Sequence, residues 1–213
     1  MAWHNFKNQM SLQTEQQNLK KKVLTTGIRV GTAVKTKFMQ PFITQASPEG
    51  LYLLDIDIIL SRIQTAAKFI KKFDINQVII HSGRNYATTP IEKFCELTGA
   101  KKMLGRFMPG TLTNPLLPYF LEPQLIVISD PQVDAQAVTE ATNAGIPIIG
   151  IANTDNVTSK LDLIIPANNR GRKSLATIYW LLANEILGED ASKTMKYEID
   201  DFETKTADVE EEL

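Results

Sequence analysis

His81, Ser82 and Asp130 are the residue types from which a nucleophile, its base and an orienting carboxylate are built. Neighbouring side chains in extended chain leave on opposite faces, however, so His81 is badly placed to take a proton from Ser82. No glycine-flanked elbow surrounds the serine either. Asp130, Asp134 and Asp155 could hold a magnesium ion or accept a phosphoryl group, yet Asp130 stands in Asp-Pro, where capping of the next helix accounts for it. His4, His81 and Cys95 share no spacing that suits a transition metal. Neither Gly-x-x-x-x-Gly-Lys-Ser/Thr nor Gly-x-Gly-x-x-Gly occurs, and the nearest glycine pair, Gly27 and Gly31, follows a helical pattern at the wrong spacing. These residues assign no catalytic group, no metal and no cofactor.

The remaining chemistry is cationic. Gly105–Asn114 combines Arg106, Phe107 and a Pro-Gly turn, and a guanidinium forks phosphate oxygens while a nearby ring can stack on an unpaired base. The alternative for Phe107 is a ring packed inward. Asn168-Asn169-Arg170-Gly171-Arg172-Lys173 sets three cations at a helix start, where the helix dipole prefers anions. A phosphate from outside, bound at that helix amino terminus, resolves the conflict.

Elements must position these loops. Leu51–Leu54, Gln77–Ile80, Leu125–Ser129, Ile146–Gly150 and Asp162–Ile165 are short apolar runs that read as strands. Helical patterns lie near 56–72, 90–98, 132–144 and 172–187, with Gly99, Gly145 and Gly188 placed as carboxyl-terminal caps. Thr89-Pro90-Ile91-Glu92 offers an N-cap with proline at the first helical position, and Asp130-Pro131 reads as another helix start. The strands do not alternate apolar with polar residues, so both faces should be buried, in a parallel sheet with helices on each side. Cys95, at one-turn spacing from Ile91, reads as a buried helix thiol. The stretch from about 100 to 124 is rich in turn residues and reads as a long ordered loop or short insert.

Length and charge frame the whole. The 213 residues suit one domain with tails, at 43% hydrophobic and 22% charged content. No apolar run approaches the roughly 18 residues of a membrane helix, the start has no secretory pattern, and a single cysteine fits a reducing cytoplasm. The net charge of −1 conceals an asymmetry: residues 1–40 carry seven basic side chains and one acid, while 189–213 carry ten acids and three bases. Residues 41–188 balance at thirteen of each. This predicts a basic amino-terminal helix and arm over 1–40, an α/β domain over 41–188, and an acidic, disordered tail over 189–213. A polyanion is the expected partner of the basic end.

The residues from about 25 to 188 resemble the universal small-subunit ribosomal protein two family, known in animals as the laminin receptor precursor. The resemblance is carried by Gly31-Thr32 with Lys35-Thr36-Lys37-Phe38-Met39, by Gly50–Asp55, and by Gly105–Asn114. Further pieces are Asp130-Pro131 with Asp134, Gln136-Ala137-Val138, Glu140-Ala141, Ile146-Pro147, Thr154-Asp155 and Ile165–Asn169. It implies a three-layer αβα fold of flavodoxin-like type, no catalysis, and a cytoplasmic role in translation on the small ribosomal subunit. Its implied partners are ribosomal RNA and neighbouring ribosomal proteins. The Lys-Thr-Lys-Phe-Met form and the short acidic tail resemble the archaeal side of the family, and Arg29 stands where members commonly carry histidine. On this reading the RNA-binding residues are Lys20, Lys21, Lys22, Arg29, Lys35, Lys37, Arg84, Arg106, Arg170, Arg172 and Lys173. Two other classes compete: an enzyme acting on a phosphorylated metabolite at the strand ends, and an interaction module using the apolar breadth of the last helix through Leu175, Ile178, Trp180, Leu181 and Leu182.

Overall fold

A computed structural model describes residues 20–188 and 197–205. The predicted helix over 11–26 lies partly outside that range; within it residues 20–25 are helical. The next elements are strands β1 (Ile43–Ala46) and β2 (Tyr52–Leu54), then helix α1 (Ile56–Ile70) and strand β3 (Val78–Ser82). Helix α2 (Thr88–Thr98), strands β4 (Lys101–Leu104) and β5 (Leu125–Ile128), helix α3 (Ala135–Ala144), strands β6 (Ile148–Ala152) and β7 (Leu163–Pro166), and helix α4 (Arg172–Leu187) complete the order.

Five strands form one parallel sheet in the order β4-β3-β5-β6-β7, while β1 and β2 pair antiparallel in a separate ribbon. Taken from β3 onward this is the doubly wound order in which strand succession reverses between β3 and β5. The sheet buries both faces, as the unbroken apolar runs predict. Val78 and Ile80 of β3, Leu125 and Val127 of β5, and Ile149 and Ile151 of β6 face one core with α1, α2 and α4. Ile79, Ile126, Ile128 and Ile148 face the other, with Ala137, Val138 and Ala141 of α3. This is the period-two alternation of strand side chains with an apolar layer on each side. Helix α4 is central to the first layer, packing on both α1 and α2, with everything from Ser174 to Tyr179 buried. Its apolar breadth is thus core, and the residues proposed for an interaction stripe are spent inside the molecule.

Several expectations change. Leu51–Leu54, expected among the strands of the parallel sheet, instead pairs with β1, because a three-residue strand next to Gly50 closes a local hairpin. The stretch 100–124 contains β4, missed because Lys101 and Lys102 make it read as loop; it is an edge strand whose charged side chains face water. Helix α2 begins at Thr88, directly from a 3-10 turn over Asn85–Ala87, and has no side-chain cap. Pro90 therefore sits in the first turn, where its missing N–H is one the helix would leave unpaired anyway. Residues 20–40 are not a free arm: Val23, Ile28 and Met39 are fully buried, and Val30 bridges Leu53.

The disordered tail expected from Glu189 onward fails over 197–205. A 3-10 turn at Ile199–Phe202 lies against α4, with Ile199 and Phe202 buried, and the Trp180 indole donates to the Tyr197 carbonyl at 2.9 Å. Charge counting missed this strap because three apolar or aromatic residues sufficed to anchor an otherwise acidic stretch. Truncating Phe202 to Ala should lower the unfolding free energy in a denaturant melt by about 3 kcal/mol, the cost of emptying a buried ring site. An unchanged midpoint would show that the strap is not packed.

Candidate nucleic-acid interface

The loops at the carboxyl ends of the parallel strands meet in one polar network. In β3 the side chains alternate as extended chain requires. Ser82 faces one layer, its Oγ accepting from Arg84 N at 3.1 Å, while His81 faces the other. His81 and Ser82 are not a base and its nucleophile. The His81 Nδ1 lies 2.9 Å from the Met103 carbonyl, which can only accept, so Nδ1 carries the proton. Its Nε2 stands 3.2 Å from Asp134 Oδ1 without hydrogen-bond geometry, and the ring packs edge-on to Phe107 at 5.1 Å. Phe107 is therefore held inward at 7% exposure, and its ring is not presented for a base to stack on.

Asp130, Asp134 and Asp155 do not converge on a metal. Each has its own cation or ring beside it. Asp130 is fully buried and receives the Arg84 guanidinium through Nε at 2.6 Å and Nη2 at 2.5 Å. Its other oxygen accepts from Gln132 N at 2.9 Å and Asn156 Nδ2 at 3.3 Å, so the carboxylate turns the chain after β5 instead of capping α3. Asp134 accepts from Gly83 N at 2.9 Å and faces His81, and Asp155 meets Arg170. Among the described residues no group of three His, Cys, Asp or Glu side chains is arranged to hold a metal ion.

Asn156 and Asn169 extend the network: Asn169 donates to the Ile151 carbonyl and to Asn156 Oδ1, which also accepts from Asn153 N at 2.6 Å. Residues 27–36 lie over this end of the sheet. Thr32 N and Oγ1 reach Thr154 Oγ1, Thr36 N donates to the Thr154 carbonyl, and Asn168 Nδ2 donates to the Gly27 carbonyl. Gly31 is required by this close approach, since a Cβ there would stand 2.5 Å from Thr154 Cγ2 and 2.7 Å from the Tyr52 carbonyl.

The Gly105–Asn114 loop is fixed by a residue that sequence reasoning did not single out. Glu140 of α3 is buried and accepts from Gly110 N at 2.8 Å, Gln136 Nε2 at 2.8 Å, Leu112 N at 3.2 Å and Thr113 Oγ1 at 3.4 Å. Burial alone would raise its carboxyl, but these four donors outweigh burial and hold it below the usual range. The available signal was an acid on α3 between Ala137 and Ala141, which face the core. Cys95 is buried as its helical spacing predicts, and burial pushes its thiol up to about 12. At the same end of the sheet, Gly83, Gly105, Arg106 and Asp134 line a cleft of about 440 Å³.

The predicted cations divide into paired and exposed ones, with Arg29 and Arg172 between the two. Arg84, Arg170 and Lys20 face Asp130, Asp155 and Asp57, so their charge is compensated inside the chain. Arg29 is half-buried, with its Nε buried and unpaired, and its carbonyl accepts from Leu54 N at 2.9 Å. Arg172 is half-buried at the first position of α4. Lys21, Lys22, Lys35, Lys37, Arg106 and Lys173 are exposed and make no ion pair among the described residues, although Lys35 Nζ lies over the Tyr52 ring at 4.9 Å. Four of these stand at the carboxyl ends of the strands: Lys35 and Lys37 on the segment over β6, Arg106 after β4, and Lys173 after β7.

A family model described as "Ribosomal protein S2" matches residues 120–188. Three archaeal proteins carrying the name "Small ribosomal subunit protein uS2" are similar to the chain. The one from Nitrosopumilus maritimus is 68% identical, over 94% of this chain and 99% of its own length. That from Cenarchaeum symbiosum is 58% identical over 91% and 95%. The Thermofilum pendens protein is 54% identical over 77% of each.

Two measurements check this geometry. Arg84→Met leaves a buried carboxylate without its cation and should cost about 3 kcal/mol of stability, whereas Arg106→Met should stay within about 0.5 kcal/mol. Equal melts for the two variants would contradict the assignment. Glu140, depressed in the folded state, contributes stability that is present above the ordinary carboxyl value of 4.5 and lost as pH falls through the folded value. Hydrogen exchange at the Gly110 and Leu112 amides should accelerate on acidification in the parent chain and be insensitive to that change in Glu140→Gln.

Proposed function

The chain belongs to the ribosomal protein S2 family, and on that premise we propose that it is a structural constituent of the small ribosomal subunit, anchored to ribosomal RNA and neighbouring ribosomal proteins, without catalysis of its own. The observation that carries the anchoring is the division of charge at the strand ends. Buried and half-buried acids there are matched by Arg84, Arg170 and backbone donors, while Lys35, Lys37, Arg106 and Lys173 are exposed and pair with no acid among the described residues. The body serves as a rigid mount. Loops tied to the sheet by Glu140, Asp130 and Thr154 present cations at defined positions, and fixed cations meet a phosphate backbone with less loss of side-chain freedom than mobile ones.

Lys173 and Arg172 open α4 without any acid in its first turn and with no side-chain cap at Gly171. A phosphate at that end would satisfy the orphan amides and complement the dipole together. Of the eleven cations assigned from the sequence, we propose Lys21, Lys22, Lys35, Lys37, Arg106 and Lys173 as the direct phosphate ligands. Arg84 and Arg170 support the loops, and Lys20 is spent on Asp57. The exposed apolar side chains Val34, Phe38, Val133 and Val157 lie on the same loops and suit contacts with neighbouring proteins.

An enzymatic site is disfavoured on physical grounds, because Asp130 is bonded to Arg84 and Asn156, and the His81 Nδ1 proton is held by the Met103 carbonyl, away from Ser82. The expected test is co-sedimentation with small ribosomal subunits over a salt series. With about six phosphates neutralised, log binding constant against log salt should fall with a slope of roughly −4 to −5. A slope near zero would refute phosphate anchoring, and Arg106→Glu combined with Lys173→Glu should flatten the slope by about two phosphate contacts.

A further inference from the structure

Of the three acids buried near the carboxyl end of the sheet, only two have both oxygens matched. Asp130 meets Arg84 with one oxygen, and Gln132 N and Asn156 with the other. Glu140 spreads four donors over both of its oxygens. Asp134, at 4% exposure, differs. Its Oδ1 accepts from Gly83 N and faces His81, while its Oδ2 is buried with no hydrogen-bond partner among the described residues. An acceptor taken out of water without a donor is costly. The chain supplies none here.

The unmatched oxygen belongs to the only acid lining the cleft beside Arg106. Gly83, Gly105, Arg106, Asp134 and Gln136 surround about 440 Å³, a volume in the range that takes a small organic group. Gly83 keeps the cleft open, since a Cβ there would stand 2.7 Å from Asp134 Oδ1. Gln136 commits its amide nitrogen to Glu140, which leaves its carbonyl oxygen as the group it can offer a ligand. Arg106 is exposed and pairs with no acid among the described residues. The cleft thus joins acceptors to a cation, and its complement carries hydrogen-bond donors together with a negative charge. A nucleotide whose base bears an exocyclic amino group has both. Carboxylates pair with such amino groups, as with N4 of cytosine, and a guanidinium forks phosphate oxygens. Uracil presents a carbonyl at that place and would meet Asp134 acceptor to acceptor. A lysine from a neighbouring protein suits Asp134 but is repelled by Arg106.

We propose that this cleft takes one unpaired, amino-bearing nucleobase of the bound RNA, its amino group donating to Asp134 Oδ2 and its phosphate held by Arg106. The base contact stands on the unmatched oxygen and the cleft. The phosphate contact rests on the anchoring reading above. Phosphate pairing is indifferent to sequence, and this site adds the selectivity that it lacks.

Hexacytidylate and hexauridylate test the site on the full chain, because they carry the same phosphates and differ chiefly in amino against carbonyl. The cytidine hexamer should bind roughly tenfold tighter, the effect of one hydrogen bond to a charged acceptor. Both hexamers should show the same salt slope. Amide signals of Gly83 and Gly105 should shift strongly with hexacytidylate only. Arg106→Met should weaken both hexamers and keep the preference. Asp134→Asn conserves volume and can turn an amide donor to the cleft, so the preference should fall to parity or invert. Should that variant not fold, dimethylating N4 of the cytosines removes the donors from the ligand instead and should erase the preference in the parent chain. A preference that survives either change overturns Asp134 as its source. Equal affinity of the two hexamers for the parent chain overturns the base site and leaves Oδ2 to solvent or to a neighbouring protein. If neither hexamer binds at low salt, the anchoring reading falls. Free cytidine against free uridine, read on the Gly83 and Gly105 amides, then still decides the cleft.

Discussion

A carboxylate taken out of water is costly unless a counter-charge or hydrogen-bond donors meet it, and three of them are buried at one end of this sheet. Asp130 is met by Arg84, Asp134 by the Gly83 amide beside His81, and Glu140 by two amides, an amide side chain and a hydroxyl. Each acid lies on the chain between β5 and β6, and its partners come from the loop after β3 for Asp130 and Asp134 and chiefly from the loop after β4 for Glu140. Satisfying the acids therefore sews the loops after β3, β4 and β5 together. Asn156 continues the seam to the loop after β7 through Asn169, and Thr154 continues it to the segment at 31–36.

That constraint separates supporting cations from presenting ones. Arg84 and Arg170 read like an RNA-facing set in sequence, but their guanidinium groups close the seam. Lys35, Lys37, Arg106 and Lys173 sit on the same stitched loops and point their charge outward. The doubly wound order puts a crevice between β3 and β5, the place where this architecture commonly takes a ligand, and here the Arg84–Asp130 pair spans it. This end of the sheet thus carries an ion pair across its crevice and an open charged surface beside it. That suits a large, flat polyanion better than a small molecule.

Apolar periodicity made the parallel sheet and its four helices legible, since Val78–Ile80 and Leu125–Ile128 have no reason to be unbroken unless both faces are covered. The carboxyl-terminal glycines were legible for the same reason of local necessity: Gly99 and Gly145 both take positive φ at helix ends. Edge strand β4 was not legible, because an edge needs only one partner and tolerates two lysines. The strap at 197–205 was not legible either. Net charge outweighed Ile199 and Phe202 when the stretch was judged by composition, yet those two side chains and the Trp180 indole suffice to hold it.

The residues alone determined the class of fold, the asymmetry of charge and the short list of cations, because these come from local pattern and counting. The resemblance quoted from Gly31 to Asn169 determined the family. Only the tertiary structure decided which of the cations pair with acids inside the chain. A guanidinium's partner comes from a loop far away in sequence, 46 residues away for Arg84 and Asp130. Phe107 turned inward for the same reason, its ring packing against a histidine on another strand. Such pairings depend on which loops the sheet brings together, and no local window of sequence contains both partners.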